Sequence, residues 1–168
     1  MTTVLLALAL VAQAPPSDTV RQAHYERTLS SVSDSLDVVR GAITAFPLDL
    51  PRVSPDLVLA RATRVRQSCH GAARALEQVS TLLAAGVYVP HAKVEQGRLQ
   101  SGTTDLRRTL ARCEREWAAP DPPTRASADN LRAWGPYRGA RLDEALRSYL
   151  GLLRAFMKQA ALEKPATS

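Results

Sequence analysis

Four stretches of this chain repeat apolar residues at steps of four and three, and that rhythm leaves little choice of fold. In residues 17–46, Tyr25, Leu29, Val32, Leu36, Val39, Ile43 and Phe46 hold it without a slip. In residues 56–85 the set is Val58, Ala62, Val65, Cys69, Ala72, Leu76, Val79 and Leu83. Residues 91–117 give Leu99, Thr103, Leu106, Leu110, Cys113 and Trp117, and residues 125–163 give Leu142, Leu146, Tyr149, Leu153, Phe156 and Ala160. Such steps put every member of a set on one face of an α-helix, whereas a half-buried strand alternates at every second residue. No alternating run of useful length competes.

The stretches are separated by proline-bearing segments, Pro47 to Pro55, Gly86 to Pro90 and Pro120 to Pro123. Ser54-Pro55-Asp56 reads as a helix start. It offers a hydroxyl to the free amides of the first turn, a proline where no helical amide is lost, and an acid against the positive end of the helix dipole. Gly86 suits a helix end. Four amphipathic helices with short connections predict an all-α fold, an up-down-up-down four-helix bundle. Helices of about 30 residues would make it roughly 45 Å long.

The two cysteines, Cys69 and Cys113, both fall on apolar faces, in helices 2 and 3. In an antiparallel hairpin, facing residues are equidistant from the turn. Cys69 and Cys113 are equidistant from residue 91, at the edge of the Gly86–Pro90 segment, so their sulfurs lie nearly level. The same register faces Leu76 with Leu106 and Ala72 with Leu110. Gly71, Ala72 and Ala73 keep helix 2 thin at that level, which permits the Cα separation below about 7 Å that a disulfide needs. A bridge between helices 2 and 3 is the expected outcome, the alternative being two buried thiols that pack as small apolar groups.

Compartment bears on that choice. Val4 to Ala12 is an unbroken apolar run, too short to span a bilayer, and Ala12-Gln13-Ala14 follows it as a small-x-small cleavage pattern. Residues 1–14 therefore read as a signal peptide, although they contain no Lys or Arg, and residues 15–168 as a single four-helix-bundle domain. The expected location is secreted or periplasmic, where disulfides persist. The other reading of the run is an apolar N-terminus on a protein that stays in the cytosol. No other segment approaches membrane-spanning length.

Motifs that carry chemistry are missing. Ser68-Cys69-His70 has no second cysteine to attach haem covalently, none of the three histidines follows a Glu three residues earlier as a di-iron bundle needs, and no nucleophile elbow or phosphate-cradling glycine loop occurs. The expectation is a non-enzymatic binding or interaction module with no catalytic residue and no resident metal or cofactor. Its runner-up is a bundle carrier of a metal, haem or small apolar ligand. His24, His91 and Met157 would meet at one end of an up-down bundle, and imidazole with thioether suits copper or haem iron. A helix 3 broken at Gly97, Ser101, Gly102, Thr103 and Thr104, all weak helix formers, would open a groove beside Leu76 and Val79 for an apolar ligand.

The opposite end carries Arg132-Ala133-Trp134-Gly135-Pro136-Tyr137-Arg138-Gly139. Pro136 and its glycines predict an interruption or kink in helix 4. Arg132, Trp134, Tyr137 and Arg138 form the candidate partner-binding set, because aromatic and arginine side chains anchor recognition surfaces. The plainer use of Trp134 is to plug the end of the bundle. The chain's net charge of +6 grows toward the C-terminus. Arginines interleaved with acids, on a chain read as exported, argue against nucleic acid and leave an unknown protein or an acidic envelope polymer as partner.

Overall fold

The computed structural model describes residues 18–46, 53–85, 92–118 and 124–161. Residues 1–17, 47–52, 86–91, 119–123 and 162–168 lie outside that set. The described residues form four helices and no strand: α1 (Asp18–Thr44), α2 (Pro55–Ala84), α3 (Lys93–Glu116) and α4 (Arg125–Ala161). The helix starts follow local chemistry. Ser54 caps α2, its hydroxyl accepting from the Leu57 amide at 3.4 Å, with Pro55 in the first turn and Asp56 beside the dipole. Thr124 and Ser127 cap α4 reciprocally: the Ser127 amide donates to the Thr124 hydroxyl at 3.2 Å, and the Thr124 amide donates to the Ser127 hydroxyl at 3.4 Å. Helix 4 thus begins before Pro136 and runs on through it as one element.

Consecutive helices pack antiparallel, and α4 returns to α1, giving the up-down-up-down bundle. α2 also packs across the middle on α4, while α1 and α3 hardly meet. The cross-section is therefore a rhombus with α2 and α4 on its short diagonal. Small side chains on α2, Ala62 and Ala72, both buried, allow that approach. Every apolar-face residue of α1, α2 and α3 named above is buried, and so are those of α4 except Ala160, which is half-buried. Each large one removed from water stabilises the fold by about 1.5–3 kcal/mol before chain entropy is set against it.

The hairpin register holds. Cys69 and Cys113 form a disulfide with a Cα–Cα distance of 6.3 Å. On the surface alongside, Arg107 donates to Glu77 at 3.2 Å, and His70 Nδ1 lies 3.2 Å from Glu114. Both pairs are equidistant from residue 92, one step from the expected centre.

Three expectations fail. Helix 3 does not break at its glycines and hydroxyls. Gly102 lets a side chain of α4 pack directly on the α3 backbone, since a Cβ there would lie 2.6 Å from Leu152 Cδ1. Thr103 is buried, its hydroxyl donating to the Leu99 carbonyl at 2.7 Å and meeting the Tyr149 hydroxyl at 2.9 Å. Helix 4 is not interrupted at Pro136, and the two glycines beside it serve packing: a Cβ on Gly135 would run into the Phe46 ring, and one on Gly139 would lie 2.8 Å from Ile43 Cγ2. Nor does Trp134 plug the bundle. Trp117 does, at 1 % exposure, edge-on to Phe46 with ring centroids 4.7 Å apart.

Candidate functional site

The glycines that seat α1 on α4 also decide where Trp134 goes. With Leu131, Gly135, Gly139 and Leu142 turned to the core, Trp134 and Tyr137 fall on the outer side of α4. They are 56 % and 60 % exposed, unusual for side chains of that size. Three residues apart on a helix, they are neighbours one turn along. The Arg141 guanidinium carbon lies 5.9 Å from the centre of the Tyr137 ring, near enough for a cation–π contact.

Both rings line a groove between α3 and α4 of about 390 Å³. Its α3 wall is Thr109, Arg112 and Glu116. Its α4 wall is Trp134, Tyr137, Arg138, Arg141, Glu144 and Ser148. The floor is Cys113, Trp117 and Leu142, all buried. A second groove shares Thr109, Ala145 and Ser148 with the first and continues past Asp105 and Arg98 to Gly102 and Leu152. Together they follow α4 from Trp134 to Leu152, about 27 Å at the rise of an α-helix. On the far side of Trp134 and Arg138 lies a third hollow, bounded by Ala118, Thr124, Ser127 and Asn130.

The four residues of the Arg132–Arg138 candidate set divide. Trp134, Tyr137 and Arg138 share the groove. Arg132 is not on its walls; its guanidinium donates to the Val53 carbonyl ahead of α2 and pairs with Asp129. Arg138 has a structural task as well: it donates to the Glu116 carbonyl at 2.8 Å, satisfying an acceptor that the end of α3 leaves open. Arg112, Arg141 and Glu144 were not expected. The equidistance rule applied to α3 and α4 would have found them. Thr103 and Tyr149, Gly102 and Leu152, and Glu116 and Arg138 are all equidistant from residue 126 or 127, which puts Arg112 level with Arg141 and Leu142.

At the other end, His24 is exposed, its carbonyl accepting from the Thr28 hydroxyl at 2.9 Å. Met157 is half-buried against the core, and His91 lies outside the described residues. Among the described residues no group of three or more His, Cys, Asp or Glu side chains is placed to hold a metal ion. Tyr25 is buried there beside Phe156, ring centroids 5.8 Å apart, and its hydroxyl has no partner among the described residues. Burial pushes the Tyr25 phenol up to about 12. None of the described helices is long and apolar enough to cross a membrane. Comparison of the chain with protein-family models, with curated proteins and with solved structures finds no match.

Proposed function

We propose that this chain is an exported, non-enzymatic binding module that holds another macromolecule in the groove between α3 and α4. Residues 15–168 would form its single domain after loss of a leader, in a secreted or periplasmic setting. The disulfide supports an oxidising compartment, and the N-terminal apolar run with Ala12-Gln13-Ala14 supports export. The observation that carries the binding reading is Trp134 and Tyr137 standing open on adjacent turns of α4 above a groove. Two large rings left in water give up the burial that aromatic residues otherwise contribute, and aromatic anchors of this kind concentrate binding energy. The groove walls add arginines, carboxylates and hydroxyls, a set suited to holding a ligand.

The test is the double variant Trp134→Ala/Tyr137→Ala. Both side chains are exposed, so helicity and unfolding midpoint should change little, within about 0.5 kcal/mol per site. Cross-linking in the protein's own compartment should capture a partner with the parent chain and lose it with the variant. Capture of the same partners by both proteins would sink the reading.

A further inference from the structure

Resting on that reading, we infer that the groove binds a linear acidic glycan, a polymer of sugars in which only some units carry a carboxylate. The walls show which ligand they suit. A partner helix would need an open apolar trough, yet the floor is closed: Leu106, Cys113, Leu142 and Tyr149 are each at most 4 % exposed. The large apolar side chains that stand open along the groove are the flat rings of Trp134 and Tyr137. Such rings stack well on the C–H faces of pyranoses, and their one-turn separation is close to the repeat of a pyranose chain.

The charges narrow the class. Arg112 and Arg141 have no carboxylate partner among the described residues, and Arg141 is held near the Tyr137 ring. Guanidinium forks bind carboxylates in pairs of hydrogen bonds. Glu116 and Glu144 line the same groove. They would repel a densely charged polyanion such as polyphosphate, but they accept hydrogen bonds from sugar hydroxyls. Arginines, carboxylates, Thr109 and Ser148 together match a ligand that alternates carboxylates with hydroxyls. The two adjoining grooves, about 27 Å from end to end along α4, give it the length for a chain of several sugars.

The experiment titrates the full chain with a hyaluronan oligosaccharide, whose uronates alternate with uncharged sugars, long enough to span the groove, followed by tryptophan fluorescence and calorimetry. The comparison ligands are the same oligomer with its carboxylates methyl-esterified, and polyphosphate. Saturable binding of the acid form, at least about tenfold weaker for the ester, is expected, since charged hydrogen bonds are lost. Arg112→Gln and Arg141→Gln should each weaken binding by about tenfold, while Arg74→Gln, an exposed arginine on α2, should not. Polyphosphate binding as tight as the acid oligomer, equal binding of ester and acid, or equal loss in Arg74→Gln would overturn the inference. If neither uronate form binds but the Trp134→Ala/Tyr137→Ala variant still loses its cross-linked partner, the glycan is wrong and the binding surface stands. If that partner is also retained, both readings fall.

Discussion

The most consequential polar contact in the core is the one between Thr103 and Tyr149. The single hydroxyl hydrogen of Thr103 goes to the Leu99 carbonyl at 2.7 Å, so at 2.9 Å it is the Tyr149 hydroxyl that donates to Thr103. The two deletions are then unequal. Tyr149→Phe leaves the Thr103 donor satisfied and should cost about 0.5–1.5 kcal/mol. Thr103→Val strands a buried phenol donor, Tyr149 being 2 % exposed, and should cost more, about 1–3 kcal/mol. Urea unfolding of both variants checks the order; equal costs would mean that water reaches the phenol. The same burial gives a pH dependence. Desolvation pushes Tyr149 up to about 12, against an ordinary 10.0, and burial pushes Tyr25 equally far. Between those values the unfolded chain loses phenol protons that the folded one keeps, so stability is intact below about pH 10 and falls as pH rises toward 12. Phenolate absorbance from these two rings should appear together with loss of helicity, and ionisation in a fully helical protein would contradict it.

Among the helices, α4 shows what sequence patterning carries and where it stops. Its apolar face from Leu142 to Phe156 was legible because the rhythm there is unbroken. Continued toward the N-terminus, the same rhythm runs through Gly139, Gly135, Leu131 and Ala128, all buried. Glycines have no side chain to mark a face, and Pro136 signals a break, so the pattern was hidden where α4 packs on Ile43 and Phe46. That concealment set Trp134 in the bundle end, a position taken by Trp117, which was on the α3 face all along. Steric fit tests the account. Gly135→Ala would press a methyl into Phe46, whose ring is held edge-on by Trp117, and should destabilise by about 1–3 kcal/mol. Gly151→Ala, in the same helix with open space around it, should stabilise by about 0.5–1 kcal/mol. Thermal melts of the two should move in opposite directions, and a neutral Gly135→Ala would mean that α1 is free to retreat.

In the bundle as a whole the helices are not equivalent. α2 packs on all three others, α4 likewise, whereas α1 and α3 each rest on α2 and α4 alone. By packing, α1 and α3 should come loose with similar ease; the Cys69–Cys113 bridge breaks that symmetry by tying α3 to α2. An opening that releases α1 leaves the bridge untouched, while any opening that releases α3 must work against it. Closing the loop between the two cysteines contributes about 4 kcal/mol in the chain-entropy account, or about a thousandfold in an opening equilibrium. Native-state hydrogen exchange should therefore show α2 and α3 as the slowest helices in the oxidised protein and α1 as distinctly faster. Reduction should bring α3 down to the level of α1 and leave α1 nearly unchanged, because the state in which α1 exchanges keeps the other three helices packed. Equal protection of α1 and α3 before reduction, or a uniform drop in all four helices after it, would mean that the bundle opens as one unit and that the bridge acts only on the fully unfolded chain.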